Sequence, residues 1–169
     1  MTVTFKGQPM TLEGPELHTG DSAPAFTLTA GDLSSMNLDM LLDDGRRAAM
    51  LIVVPSLDTG VCSTESKKFN GRIDELPDGV AAAVVSMDLP FAQARWCGAE
   101  GVSKLQMLSD YRDHSFGNNY GLRIKELGLL ARAIVVIGKD KTIRYVQIVP
   151  EIAQEPDYDD ALKAAAAAA

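Results

Sequence analysis

The sequence predicts an α/β sandwich with a mixed central sheet. Two continuous apolar runs in the centre are typical of strands buried on both faces, and segments of helical periodicity separate the runs. The last third of the chain reads as two strands joined by a short turn and followed by a helix. With 169 residues, 46% hydrophobic and 23% charged, the chain can bury a sizeable core without disulfides or metals. No internal repeat or long linker is visible, so we expect residues 1–169 to form one domain.

The N-terminal region predicts a small hairpin and two weaker elements. Residues 3–5 and 10–12 flank a predicted turn at residues 7–9, which is Gly-Gln-Pro. Near the end of the stretch 20–28 apolar residues alternate with other residues, which indicates the start of a short strand. Residues 37–42 favour a short helix.

The centre of the chain predicts a buried strand that leads into a helix. Residues 48–54 form a continuous apolar run, and Pro55 ends it. The sequence Pro-Asp-Gly at 77–79 would end the helix. Its predicted apolar stripe consists of Cys62, Phe69, Ile73 and Leu76.

A second strand, helix and strand follow. Residues 80–87 predict another buried strand. Asp88 and Pro90 indicate the start of a helix, which we expect to close at Gly98. Residues 105–108 predict the third strand.

The C-terminal part predicts a hairpin and a last helix. Residues 133–137 and 142–149 read as strands joined by a turn at 138–141, and a helix is expected to start within 155–162. The alanine tail 164–169 can extend that helix because alanine is the best helix former, and no function is assigned to it. A β-α-β unit followed by β-β-α is the thioredoxin-like arrangement.

Charge and composition exclude several functions. The net charge is −7 and the pI about 4.8, with no dense basic face, which argues against nucleic acid and anionic membranes as partners. No apolar run approaches the length of a membrane span, and no secretory signal is visible. Two cysteines are too few for a disulfide scaffold, so we expect a cytoplasmic protein in which any cysteine chemistry is catalytic or transient rather than structural.

Cys62 has the surroundings of a reactive thiol. A buried strand ends at Pro55, and Cys62 falls in the first turn of the next helix if Thr59 is the N-cap. Free backbone N–H groups and the helix dipole then favour the thiolate, which is the nucleophile. The Thr59 hydroxyl can also hydrogen-bond a substrate atom held at the sulfur, and Pro55 can shield the sulfur from bulk water. The alternative is that Cys62 is a small buried hydrophobic residue and Thr59 only a cap.

The position of Cys97 is compatible with a role as a second catalytic thiol but does not require that role. It lies near the end of the helix that follows the next strand, and consecutive helices of such a succession can be neighbours on the sheet. The alternative is a core cysteine beside Trp96. The spacing is not Cys-x-x-Cys, which disfavours a thioredoxin-type dithiol.

The residues around Cys62 resemble a known family. Pro55, Thr59 and Cys62 match the peroxiredoxin pattern Pro-x-x-x-Thr-x-x-Cys. More narrowly, nearly the whole chain resembles the bacterial thiol peroxidases, which are atypical two-cysteine peroxiredoxins. The stretches that carry this resemblance are residues 4–7, 55–64, 88–93, 95–101, 130–133 and 155–158. The segment 122–128 departs from the family in being shorter than its usual loop.

The resemblance implies a role for five residues. Cys62 matches the peroxidatic cysteine and Cys97 the resolving cysteine of the same subunit. Thr59 and Pro55 match the peroxide-binding threonine and the shielding proline. Arg132 matches the active-site arginine, and a permanently charged guanidinium is a suitable partner for a thiolate. From the sequence alone, Arg132 is equally compatible with a surface position at the start of a strand.

The resemblance also implies what the protein does. It implies a thioredoxin-like fold with an N-terminal hairpin, a homodimer, and antioxidant reduction of organic hydroperoxides and hydrogen peroxide, with a preference for the former. An intramolecular Cys62–Cys97 disulfide would form and be reduced by thioredoxin. No cofactor is expected.

Three other classes of protein remain as alternatives. A disulfide-exchange protein shares the fold but usually has neighbouring cysteines, and a non-catalytic domain would keep both thiols inert in its core. A metal protein is disfavoured, since His18 and His114 are far apart and no ligand spacing surrounds either cysteine.

Overall fold

The computed structural model describes residues 1–169 and contains two sheets flanked by helices. The strands are β1 (Thr2–Phe5), β2 (Gln8–Glu13), β3 (Leu28–Thr29), β4 (Ser35–Met36), β5 (Ala48–Val53), β6 (Val80–Ser86), β7 (Gln106–Ser109), β8 (Arg123–Ile124), β9 (Leu129–Leu130), β10 (Ala133–Gly138) and β11 (Ile143–Ile148). The helices are α1 (Leu38–Leu41), α2 (Gly60–Arg72), α3 (Pro90–Glu100), α4 (Ser115–Asn119) and α5 (Tyr158–Ala168), with a 3₁₀ turn at Ile73–Glu75.

The main sheet is mixed, as predicted. Its seven strands run in the order β11-β10-β5-β6-β7-β3-β4. Strands β5, β6 and β7 are parallel, whereas β10 is antiparallel to β5 and β11 is antiparallel to β10. The carboxyl ends of β5, β6 and β7 therefore meet at one edge, which is where sites form in sheets of this kind.

Two apolar cores cover the faces of the main sheet, because successive side chains of a strand point to opposite faces. One face packs against α1 and α4, and the other against α2, α3 and α5. The first core includes Ala49, Leu51, Val53, Val135, Ile137, Leu38, Leu41 and Phe116. The second includes Met50, Ile52, Val84, Ile134, Val136, Cys62, Phe69, Trp96, Ala161 and Leu162. All six residues of β5 and of β10 are buried, which accounts for their unbroken apolar sequence.

The N-terminal hairpin continues into a second, four-stranded sheet of order β1-β2-β8-β9. The predicted hairpin is confirmed, but its turn lies earlier than expected. Phe5 pairs with Gln8, so the turn is Lys6-Gly7, and both residues have positive φ (51° and 76°). Such a two-residue turn matches the twist of the flanking strands, and it places Pro9 inside β2.

The predicted end of α3 at Gly98 is wrong. Gly98 is helical, and α3 continues to Glu100 and ends at Gly101, whose φ is 68°. A helix commonly terminates at a residue in this left-handed conformation, which glycine adopts without steric cost.

The last helix starts within the predicted range. Helix α5 begins at Tyr158, and the Asp157 carboxylate caps it by accepting the backbone N–H of Asp160 at 2.9 Å. Pro156 precedes the cap and disfavours helical conformation in the residue before it. The alanine tail extends α5 to Ala168, as anticipated.

Candidate active site

Cys62 lies at the start of α2, at the edge where β5 ends. Thr59 is the N-cap of α2, which makes Cys62 the third residue of the helix, and the Cys62 side chain is 0% exposed. The predicted position at the mouth of a helix is confirmed. Backbone N–H groups of the first helical turn are oriented towards this end of α2 and favour a negative charge there.

The Thr59 hydroxyl does not cap the helix. Its Oγ1 donates to the carbonyl oxygen of Ser56 at 3.1 Å, and no side-chain cap bond forms. The expected helix boundary at Thr59 is therefore right, while the expected capping bond is absent. Thr59 instead holds the turn between β5 and α2 and lines a pocket.

Arg132 lies beside the sulfur of Cys62. It is 1% exposed, and its Nη2 donates to the Cys62 Sγ at 3.2 Å. Its Nε donates to the carbonyl oxygen of Ile152 at 2.9 Å, and its Nη1 donates to the carboxylate of Glu65. The alternative of a surface arginine is thus wrong. Burial acts to lower the pKa of Arg132, but the charges of Glu65 and Cys62 outweigh it and raise the pKa above its usual value.

Glu65 is a site residue that the sequence analysis missed. It lies one helical turn after Cys62, is 0% exposed, and pairs with Arg132. Burial raises the pKa of Glu65 to about 7, although Arg132 opposes the shift. A signal existed in the sequence, because Glu65 falls within the predicted apolar stripe of α2, where a carboxylate needs a buried partner.

A mostly apolar pocket of about 410 Å³ opens next to the Arg132–Cys62 contact. The buried Arg132 is one of its lining residues, and the N-terminal hairpin contributes Phe5 and Lys6. Its lining residues are Phe5, Lys6, Pro55, Thr59, Gly60, Val61, Ile124, Leu127, Leu129, Arg132, Ile152 and Ala153. Three of the predicted site residues therefore meet in one pocket. A cavity of about 450 Å³ at residues 73–80 contains none of them.

Cys97 lies on α3 and is half-buried against the same core that contains Cys62. Both thiols are free, and burial raises the pKa of Cys97. Helices α2 and α3 are neighbours, since Lys67 donates to Glu100 at 2.9 Å. Between them lies a shallow depression of about 290 Å³, lined by Leu57, Asp58, Thr59, Gly60, Ser63, Trp96 and Glu100.

A buried thiol that is hydrogen-bonded by a pocket-lining guanidinium, on a thioredoxin-like fold, defines a class of cysteine-dependent oxidoreductases. Sequence comparison agrees: residues 18–162 match Redoxin, and the chain belongs to this family. Within the family it groups with enzymes of the peroxiredoxin class, the thiol peroxidases. It is 50% identical over 167 residues to a thiol peroxidase of Halalkalibacterium halodurans, covering 99% of this chain and 98% of the relative. It is 51% identical over 165 residues to one of Streptococcus pneumoniae, covering 98% and 99%.

Solved structures agree with the fold. A peroxiredoxin-like protein from Aquifex aeolicus is 42% identical and superimposes with a TM-score of 0.90, over 99% of this chain and 97% of that one. A thiol peroxidase from Chromobacterium violaceum is 19% identical with a TM-score of 0.85, over 96% and 94%, and supports the fold alone. The helices of the present chain include none with the length and apolarity needed to cross a bilayer.

Proposed function

We propose that Cys62 is the residue that this thiol peroxidase uses to attack peroxides. The observation that supports the proposal is the 3.2 Å contact between the Cys62 Sγ and Nη2 of Arg132, a residue that lines the apolar pocket. A permanently charged guanidinium favours a thiolate over a neutral thiol, and the thiolate is the attacking species. The apolar walls suit the organic part of an alkyl hydroperoxide, so organic hydroperoxides are the preferred substrates and hydrogen peroxide a further one.

The first step oxidises Cys62 to a sulfenic acid. The thiolate attacks the terminal oxygen of the hydroperoxide, the S–O bond forms and the O–O bond breaks. The alkoxide leaves and takes a proton, which gives an alcohol, or water when the substrate is hydrogen peroxide. Arg132 donates to the peroxide oxygens and stabilises the charge that moves from sulfur to oxygen. The Thr59 hydroxyl oxygen, whose proton is donated to Ser56, accepts a further hydrogen bond from the hydroperoxide O–H, and Pro55 keeps bulk water from the sulfur.

The second step forms a disulfide with Cys97. The Cys97 thiol attacks the sulfenic sulfur, the S–S bond forms, and hydroxide leaves with the thiol proton as water. Because α2 and α3 are neighbours, the bridge is intramolecular. Thioredoxin then reduces it by dithiol exchange, which restores two thiols and leaves thioredoxin oxidised.

We further propose the domain organisation, cofactor requirement, oligomeric state and cellular role of the whole protein. Residues 1–169 act as one domain without a cofactor or metal, in a cytoplasmic homodimer that serves antioxidant defence. The support is the similarity to thiol peroxidases over nearly the full chain and the presence of all five proposed site residues.

A single-turnover experiment tests the two-cysteine scheme. The protein is reduced, freed of reductant and mixed with one equivalent of cumene hydroperoxide, and intact mass and free thiols are measured within seconds. We expect the loss of two hydrogens and both thiols without a covalent dimer. Two thiols remaining at unchanged mass in folded protein would refute the proposal.

Two serine variants separate the roles of the cysteines. Cys62→Ser removes the nucleophile, so thioredoxin-coupled turnover should vanish. Cys97→Ser keeps the first step but not the bridge, so it should consume one equivalent of peroxide and then stall. Activity retained by Cys62→Ser, or steady thioredoxin-coupled turnover by Cys97→Ser, would contradict the assignment.

A further inference from the structure

The Asp88 carboxylate fastens the turn that precedes the Cys62 helix. Asp88 follows β6, and its Oδ1 accepts the hydroxyl of Ser56 at 2.7 Å while its Oδ2 accepts the backbone N–H of Leu57 at 2.8 Å. Ser56 and Leu57 lie directly between Pro55 and Thr59. This carboxylate therefore holds the segment 55–62, hereafter the peroxidatic loop, to the end of the neighbouring strand.

The same carboxylate is connected to the helix that carries Cys97. Its Oδ2 also accepts the hydroxyl of Ser86 at 2.8 Å, and Ser86 Oγ accepts from Gln93 Nε2 at 3.1 Å. Gln93 is a buried residue in the first turn of α3, and it donates to the carbonyl oxygen of Leu108 as well. Asp88 is thus the junction between the peroxidatic loop and the base of α3.

Disulfide formation requires the peroxidatic loop to move. The Cys62 sulfur is completely buried and bonded to Arg132, and to join Cys97 it must leave this partner and form an S–S bond of about 2.05 Å. Attack on peroxide needs the opposite arrangement, with the sulfur beside Arg132. A bond that holds the loop in place therefore favours the first step and opposes the second.

We propose that Asp88 is a positioning residue that keeps the peroxidatic loop closed for attack on peroxide and slows its opening for disulfide formation. This inference rests on the proposed roles of Cys62 and Cys97. Two further links tie the loop and α2 to α3, the 3.7 Å pair of Arg95 with Asp58 and the pair of Lys67 with Glu100, and both are solvent-exposed. Exposed pairs contribute little, whereas bonds to a partly buried carboxylate are stronger.

The test measures both chemical steps in Asp88→Asn. The amide keeps the shape of the side chain but loses the charge that strengthens its bonds to Ser56 and Leu57. Rapid-quench mass spectrometry after mixing with cumene hydroperoxide gives the rates of sulfenic acid and disulfide formation. We expect the first rate to fall and the second to rise, each by about threefold to tenfold, the effect of weakening one or two hydrogen bonds. With excess peroxide, the fraction of Cys62 overoxidised to sulfinic acid should fall.

Asp110→Asn is the matched control. The Asp110 carboxylate is buried and accepts the backbone N–H groups of Phe116 and Gly117 at 3.0 and 2.8 Å, but it contacts neither the peroxidatic loop nor α3. General destabilisation would affect both variants alike. Ser56→Ala removes one hydrogen bond to Asp88, so both rates should change in the same directions as in Asp88→Asn but by smaller factors. This variant provides the test if Asp88→Asn does not fold.

A merely structural role of Asp88 would not change the rates of sulfenic acid formation and disulfide formation in opposite directions. Two unchanged rates, two slower rates, or the same opposite changes in Asp110→Asn would overturn the role of Asp88. Failure of the underlying scheme looks different, since the wild-type protein itself would then form no Cys62–Cys97 disulfide.

Discussion

Arg132 donates hydrogen bonds to two buried groups, the sulfur of Cys62 and the carboxyl group of Glu65. When Cys62 is a thiolate and Glu65 is ionised, the three groups together carry a net negative charge in a site without solvent. Burial of uncompensated charge is unfavourable. Burial is the main cause that raises the pKa of Glu65 to about 7, and the nearby charge of Glu155 adds to it, although the guanidinium of Arg132 opposes the shift.

The raised pKa of Glu65 predicts a pH-dependent stability difference between the wild type and Glu65→Gln. The folded protein keeps the Glu65 proton up to about pH 7, whereas the unfolded chain releases it near 4.5. Ionisation of Glu65 therefore lowers the free energy of unfolding of the wild type relative to Glu65→Gln as the pH rises from about 4.5 to 7, by on the order of 3 kcal/mol. Above that range, the difference between the two proteins stays constant. Urea unfolding of both reduced proteins across this range measures it.

Glutamine cannot ionise, so subtraction of the two pH profiles isolates the contribution of Glu65 from that of every other group. A difference in the free energy of unfolding that is flat, or that moves in favour of the wild type with rising pH, would contradict the assigned direction.

At the residue scale, the sequence predicted those parts of the site that depend on local order. Cys62 follows Thr59 and a buried strand, so its place at the helix mouth could be inferred from neighbours in the chain. The burial of Arg132 and its contacts with Glu65 and Ile152 depend on residues distant in sequence. Residue spacing contains no information on such contacts, and only the family resemblance indicated Arg132.

Two glycines of α3 provide a prediction at the scale of one element. Gly98 is helical and an added Cβ would meet no atom within 4 Å, whereas Gly101 has a φ of 68°. Alanine is favoured over glycine in a helix interior and disfavoured at positive φ. We expect Gly98→Ala to stabilise the protein by about 0.5–1 kcal/mol and Gly101→Ala to destabilise it by about 1 kcal/mol or more.

Denaturant unfolding of the two variants provides the measurement, and each serves as the control of the other. Equal effects, or stabilisation by Gly101→Ala, would place the end of α3 elsewhere.

The elements that the sequence predicted well are those with a strong local pattern. Strands β5 and β10 are continuous apolar runs, and their predicted ends lie within one residue of the observed ones. Strands β8 and β9 have two residues each and exist because β8 pairs with the distant β2. They and the five-residue helix α4 were not predicted, because a pattern needs several residues to become visible.

At the scale of the whole molecule, Glu151 joins the N-terminal hairpin to the segment that follows β11. Its carboxylate accepts the backbone N–H groups of Lys6 and Gly7 at 3.0 Å each and the hydroxyl of Thr4 at 2.9 Å. It also accepts the N–H of Ala153 at 3.1 Å. These bonds, that of Gly7 foremost, lower the pKa of Glu151 to about 2. The carboxylate thus fixes the hairpin to the segment 151–153, and both contribute lining residues to the pocket.

Glu151→Gln should therefore affect bulky substrates selectively. We expect the KM for cumene hydroperoxide to rise by about threefold to tenfold, as for the loss of one or two hydrogen bonds. Hydrogen peroxide needs no apolar wall, so its kcat/KM should stay within about twofold on the same reasoning. Steady-state assays with both substrates measure the ratio, and an equal loss for both would show that Glu151 does not act through the pocket wall.

The position of Trp96 gives the molecule an optical signal of its own. Trp96 is the single tryptophan of the sequence, precedes Cys97 in the chain, and lines the depression next to Thr59 and Gly60. Any rearrangement that brings the two sulfurs together changes the surroundings of this indole ring. Its intrinsic fluorescence can therefore follow oxidation and reduction in real time, without a dye or a coupled enzyme.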